Sequence, residues 1–158
     1  MSEKSSLTLG NLNSALAGEA SAYMKYRYFA KLARAMGDVA TAEIFEETAA
    51  QEIHHAFGHL DLIYPAAELT PAKMLELAIA GETYEFTTMY PGFRDQAHAE
   101  QSHQAVAEFD AQIEESREHA AAFAARLAKA EKRFAALAKV EQRHAQAYQQ
   151  QLQRVNGA

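Results

Sequence analysis

The chain has 158 residues, no cysteine and a formal net charge of -6 at pH 7. Without cysteine these residues form no disulfide, perform no thiol catalysis and hold no Cys-ligated rubredoxin or iron–sulfur centre. The acidic balance disfavours nucleic acid as a partner. No basic segment precedes an apolar run and no stretch of about 18 apolar residues is present, so we expect neither a secretory signal nor a membrane span, and a soluble cytoplasmic protein.

The scarcity of helix breakers predicts an all-α fold, because the chain contains only three Pro and seven Gly. Gly37 and Asp38 read as a helix stop followed by a cap, and Thr70 with Pro71 reads as a cap followed by the first helical residue. The predicted helices cover about 8–36, 39–63, 71–100, 104–128 and 131–155. We expect one all-helical domain over residues 1–158, a four-helix bundle with an extended or additional C-terminal helix.

The helix ends carry further expectations. Residues 1–7 are expected to be frayed, with Thr8 or Asn11 capping the first helix. Pro91-Gly92 predicts a kink in or at the end of the third helix. The polar interval Glu100 to Gln104 is the expected turn before the next helix.

The C-terminal third has an apolar row at alternating steps of three and four residues, which is typical of helix–helix packing. Neither Pro nor Gly occurs between Phe93 and Val155. This stretch is therefore either one very long helix or two helices with a turn near residues 128–131, where nothing in the sequence marks a break.

The stretch Phe45 to Ala56 suggests a metal site. Glu52 and His55 are three residues apart, so on a helix they point the same way. They share a face with Phe45 and Ala49, which indicates that this face is interior. A carboxylate directed into a core is costly unless something pairs with it. Glu-x-x-His pairs on two helices, with single Glu residues on two others, form carboxylate-bridged dimetal sites.

An internal repeat supports this interpretation. The tetrapeptide that ends in Ala-Gly-Glu19 recurs 63 residues later, ending at Glu82. The pattern Phe-x6-Glu-x2-His-Ala, which contains His55, recurs intact around His144 and recurs around His119 with Ser in place of Glu. Carboxylate and imidazole ligands suit iron or manganese, and zinc is a further candidate. The metal ligands that the repeat predicts are Glu19, Glu52, His55, Glu82, Glu141 and His144, with Glu115 and His119 as the alternative last pair.

The segments LAGEASAYMKYRYFA, IFEETAAQEIHHA and IAGETYEFTTMYPGF resemble the rubrerythrin family of ferritin-like di-iron proteins. The resemblance covers about residues 8–128 and returns at 134–152. It implies that Glu85 is the extra carboxylate of that family and exchanges with His55 as a ligand when the oxidation state changes. It also places Tyr26 beside the metals, where that tyrosine is a candidate catalytic residue.

The resemblance implies a di-iron peroxidase that reduces hydrogen peroxide to water and protects against oxidative stress. In this interpretation Glu52 and the last Glu bridge two irons, Glu19 and Glu82 are terminal ligands, and each iron binds one His. Manganese or a mixed-metal pair is an alternative occupant. The lack of Cys predicts a rubredoxin-free, erythrin- or symerythrin-like type that takes electrons from a separate rubredoxin-like protein or reductase.

Two other classes of function stay open on the sequence alone. One is an O2-dependent dimetal oxidase or ferroxidase, and the other is a non-enzymatic iron-binding or storage protein. We also expect a homodimer in which the last helix is exchanged, because a hairpin near residue 129 would run the last helix parallel to the third.

Overall fold

Residues 6–156 are described by a computed structural model, and outside short turns all of them are helical. The all-α fold class is therefore confirmed. The α-helices are α1 Ser6–Ala35, α2 Val39–Ile63, α3 Pro71–Tyr84, α4 Tyr90–Ala99 and α5 His103–Asn156, with a 3-10 turn at Ala66–Glu68 and a π-helical segment at Glu85–Met89. The chain divides into two compact units at residues 69 and 70.

The first unit is a hairpin of α1 and α2, and its turn confirms the predicted helix stop. Gly37 has φ 84°, a left-handed conformation that glycine adopts without the steric cost of a Cβ. The amide of Gly37 donates to the carbonyl of Arg34, and the amide of Asp38 donates to that of Ala33. Asp38 then caps α2, since its Oδ1 accepts from the amide of Thr41 at 3.0 Å.

Alanines bring the two helices of this hairpin together. Three alanines at seven-residue intervals on α2 are buried: Ala42, Ala49 and Ala56. Such small side chains let two helix backbones approach closely, and the seven-residue interval keeps the contact on one face. Glu52 lies between Ala49 and Ala56 on the same face, which is how a carboxylate comes to point towards α1.

The second unit packs α3 and α4 against α5. Thr70 caps α3 as predicted, because its Oγ1 accepts from the amide of Lys73 at 3.1 Å and Pro71 follows at the first helical position. The turn expected between Glu100 and Gln104 is also found. Gln101 adopts a left-handed φ of 59°. The amide of Ser102 donates a hydrogen bond to the carbonyl of Ala97, which ends α4.

A π-helical turn separates α3 from α4. The amide of Tyr90 donates to the carbonyl of Glu85, five residues earlier. Pro91 supplies a cause, because its ring would clash with the carbonyl four residues earlier in a regular α-helix. The wider turn relieves that clash, and the hydroxyl of Thr87 donates to the carbonyl of Thr83 at 2.6 Å. The predicted irregularity at Pro91-Gly92 is therefore a π-turn placed just before the proline.

Two expectations about helix ends are wrong. The turn near residues 128–131 is absent, because α5 continues without interruption from His103 to Asn156. An Ala-rich sequence without Pro or Gly has no physical reason to stop there. Thr8 and Asn11 do not cap the first helix, since α1 already begins at Ser6. The fraying expected for residues 1–7 falls largely on residues 1–5, outside the part that the structure describes.

Within residues 6–156, none of the helices combines the length and apolarity that crossing a membrane requires.

Candidate metal centre

The first unit brings three predicted ligands together. Nδ1 of His55 lies 3.1 Å from Oε2 of Glu52 and 3.7 Å from Oε2 of Glu19. One ligand atom from each of these residues lies within 4.8 Å of the other two. Among residues 6–156 they form the group of three that could hold a metal ion.

The positions of these residues follow from the hairpin. Glu19 lies on the inward face of α1, and Glu52 on the alanine face of α2, where only 17% of its side chain is exposed. His55 lies three residues beyond Glu52, with 58% of its side chain exposed. Two carboxylates and an imidazole at this separation offer three ligand atoms to one point. The donor set fits a divalent metal such as iron, manganese or zinc.

The second unit presents a related arrangement on α3 and α5. Nδ1 of His119 lies 3.5 Å from Oε1 of Glu82. Ser116, which is buried, donates a hydrogen bond from Oγ to Oε2 of Glu85 at 3.1 Å. Glu85 is the first residue of the π-turn, and irregular turns of this kind are frequent at functional sites.

The two units therefore repeat one geometry as well as one sequence. In the first, a lone carboxylate (Glu19) faces an imidazole (His55) at 3.7 Å, and in the second Glu82 faces His119 at 3.5 Å. The units differ at two of these positions, since Ser116 stands where the first unit has Glu52, and Glu85 stands where the first unit has Ala22. Each hairpin supplies one carboxylate–imidazole pair, as the duplicated pattern in the sequence predicts.

The two units each contain a tyrosine of interest, in different surroundings. Tyr26 is half-buried in the first unit and stacks on Phe45, with ring centroids 5.8 Å apart. Tyr90 belongs to the second unit. Burial raises the pKa of its phenol, and the negative charges of Glu85 and Glu82 raise that pKa further. The phenol of Tyr90 therefore stays protonated beside two carboxylates.

The preferred last pair lies elsewhere on α5. Glu141 and His144 contact each other at 3.8 Å, and both side chains are more than half exposed. His144 is 25 residues beyond His119 on one continuous helix, a separation of about 38 Å at 1.5 Å per residue. Glu115, the alternative carboxylate, is exposed, and its charge contributes to the raised pKa of Tyr90.

Two residues of this region, Ser116 and Tyr90, have contacts that could not be assigned from the sequence. Ser116 was noticed only as a damaged copy of Glu52, whereas the structure makes its hydroxyl the partner of Glu85. From the sequence alone Tyr90 is expected to be a core residue. The backbone hydrogen bond of the π-turn joins Tyr90 to Glu85, and Pro91 is the sequence signal for that turn.

The chain is similar to known proteins of one family. The rubrerythrin family model matches residues 10–127. Nigerythrin from Nitratidesulfovibrio vulgaris is 37% identical over 63% of this chain and 55% of its own length. Rubrerythrin from the same organism is 39% identical over 57% of this chain and 53% of its own. Rubrerythrin from Porphyromonas gingivalis is 35% identical over 81% of this chain and 70% of its own.

The chain belongs to the rubrerythrin family and has its ferritin-like, all-α class of fold. It spans about half the length of nigerythrin and of rubrerythrin from N. vulgaris. Membership implies a di-iron site, and the cluster of Glu19, Glu52 and His55 supplies ligands of the kind that such a site requires.

Proposed function

We propose that this protein is a di-iron peroxidase that reduces hydrogen peroxide to water with electrons from a separate donor. The observation that carries the proposal is the repeated carboxylate–imidazole geometry, with Glu19 facing His55 and Glu82 facing His119. Two matched half-sites on two hairpins suit a pair of metal ions better than a single one. Membership of the rubrerythrin family supports iron as the metal and peroxide as the oxidant.

The proposed ligands are Glu19, Glu52, His55, Glu82, Glu85 and His119. His119 is chosen over His144 because it faces Glu82 within its own unit. Glu85 and His55 are proposed as alternative donors to one iron, as the family resemblance implies. The place of Glu85 at the start of a π-turn supports this role, since π-turns inside helices occur frequently at functional sites.

A reduced di-iron pair supplies the two electrons that, with two protons, convert one peroxide molecule into two of water. The residues of the chain set the conditions for this reaction. Four carboxylates give the site a negative charge that favours the oxidised metals. The hydroxyl of Ser116 holds one oxygen of Glu85, which leaves the other oxygen free to bind. Tyr26 is proposed to orient a ligand carboxylate through its phenol.

The electron donor is proposed to be a separate protein, either a rubredoxin-like carrier or a reductase. These 158 residues contain no cysteine that could hold a rubredoxin iron. The protein is also proposed to act as a homodimer.

Rapid mixing of the reduced, iron-loaded protein with peroxide or with oxygen tests the proposal. We expect re-oxidation by peroxide to be about tenfold faster or more at equal oxidant concentration, a difference of about 1.4 kcal/mol in activation free energy. Equal rates, or faster re-oxidation by oxygen, would reject a peroxidase in favour of an oxidase or ferroxidase. Uptake of many irons per chain would instead indicate storage.

A further inference from the structure

The last part of α5 exposes a row of apolar side chains. Residues 130–155 are called the C-terminal segment below. Phe134 is 69% exposed and Tyr148 is 75% exposed, although both are aromatic. Leu137, Leu152 and Val155 are exposed as well. Exposed apolar side chains that recur on one helix face mark a surface that another molecule covers.

Helix α3 covers α5 only up to the beginning of this segment. A groove lined by Pro71, Phe134 and Leu137 lies where α3 begins, and it marks the limit of that cover. Beyond Leu137, within this unit, the helix projects with almost every side chain exposed.

The segment has a heptad pattern of apolar and polar positions. The pattern extends over three to four heptads, the length at which it indicates a coiled coil. Two rows of residues form the contact face. The first row is Phe134, Glu141, Tyr148 and Val155, and the second is Ala130, Leu137, His144 and Gln151. One carboxylate and one imidazole therefore lie at the middle of an otherwise largely apolar face.

Charge decides which way a second helix would run. In a parallel pair, each Glu141 would face Glu141 of the other copy, and like charges in a contact face are unfavourable. In an antiparallel pair centred between Gln142 and Arg143, Glu141 faces His144 of the second copy, and His144 faces Glu141. In that one orientation and register, each carboxylate of the contact face meets an imidazole, whose ring N–H can donate a hydrogen bond to it.

The remaining positions fit the same register. Leu137 meets Tyr148 of the second copy, which puts an aliphatic side chain against an aromatic ring. Beside the central pair the flanking positions are small or apolar, so two helices approach closely there: Ala138, Val140, Ala145 and Ala147. Arg133 opposes Arg154 near the ends, where solvent screens the two charges.

We propose that the C-terminal segment is a self-association site that forms an antiparallel coiled coil with the same segment of a second copy of this chain. The intact Glu-x-x-His motif at Glu141 then serves as a reciprocal polar lock that fixes orientation and register. This inference does not depend on peroxidase activity, because Glu141 and His144 are not among the proposed iron ligands.

Cysteine pairs test the geometry in the full chain, which has no cysteine of its own. The double variant Leu137→Cys/Tyr148→Cys is oxidised with glutathione disulfide and run on a non-reducing gel. We expect a disulfide-linked dimer from the double variant and none from either single variant. Residues 137 and 148 are about 16 Å apart along one helix, too far for a disulfide within the chain. The matched control is Lys139→Cys/Gln146→Cys. These two positions are symmetric about the same centre of the pair, but they lie on the face away from the second helix, so the control should stay uncrosslinked.

Charge exchange tests the polar lock. Glu141→His should weaken dimerisation, measured by analytical ultracentrifugation, by about tenfold, because two Glu–His contacts are lost. The double variant Glu141→His/His144→Glu restores both contacts and should restore the dissociation constant.

Crosslinking of the single Leu137→Cys variant would show a parallel pair and overturn the proposal. Absence of crosslinks in the 137/148 variant, or a loss of affinity that the double exchange does not restore, would also overturn it.

Discussion

Ser116 donates its hydroxyl proton to Oε2 of Glu85 across 3.1 Å, joining α5 to the π-turn. A neutral hydroxyl thus stands where the first unit has a carboxylate, and it holds the carboxylate of another helix. A hydrogen bond to a charged group contributes about 1.5–3 kcal/mol when its partner is buried.

Removing that hydroxyl should therefore affect Glu85 directly. We expect Ser116→Ala to lower the rate of peroxide reduction about tenfold, corresponding to about 1.4 kcal/mol, while iron content stays unchanged. Ser116→Thr keeps the hydroxyl and is the matched control. A rate for the alanine variant equal to that of the unmodified protein would show that this hydrogen bond has no part in the reaction.

The two candidate histidines of α5 can be separated by metal binding. His119→Ala removes the imidazole that faces Glu82, and we expect it to reduce iron affinity by about tenfold or more. His144→Ala should leave affinity unchanged. Titration of the apo-protein with Fe²⁺ under anaerobic conditions measures both. Loss of iron in the second variant alone would restore Glu141 and His144 as the ligand pair.

The close packing of α1 on α2 depends on alanine at one face of α2. Ala49 is fully buried and Ala50, its neighbour, is exposed. Ala49→Leu should overpack the hairpin and destabilise the protein by about 1–3 kcal/mol. Ala50→Leu adds the same side chain on the outer face and should change stability by about 0.5 kcal/mol at most. Urea denaturation compares them, and equal effects would contradict the assigned packing face.

The ionisation of Asp38 should make the free energy of unfolding depend on pH. The hydrogen bond from the amide of Thr41 lowers the pKa of the Asp38 carboxyl. A lowered pKa in the folded state stabilises the protein above the unfolded-state pKa of about 3.9, and this stabilisation is lost as the pH falls through the lower folded value.

The control for that titration is Asp38→Asn, which still caps the helix but does not ionise. Between pH 5 and pH 2 the urea midpoint of the unmodified protein should fall further than that of the variant. Parallel curves would show that the cap does not depend on the charge of Asp38.

The helix ends with strong local signals could be predicted from the sequence. Gly37 and Asp38 act through local backbone geometry and capping, and so does Thr70. The proximity of Glu52 and His55 could be predicted for a similar reason, because the i, i+3 spacing of one helix brings the two side chains together. Such features need only a few neighbouring residues to form.

Features that depend on distant partners could not be predicted in the same way. The role of Ser116 rests on Glu85, which is on another helix 31 residues away. The turn expected near residues 128–131 is one of two alternatives that the apolar row leaves open. The local sequence has no breaker there, and helix propensity prevailed in α5.

An anomalous-difference map, measured above and below the iron absorption edge on crystals of the iron-loaded protein, tests the central claim most directly. The proposed ligand set predicts two iron peaks per site, bounded by Glu19, Glu52 and His55 and by Glu82, Glu85 and His119. Peaks beside Glu141 and His144, or the absence of iron from the Glu19–Glu52–His55 cluster, would contradict it.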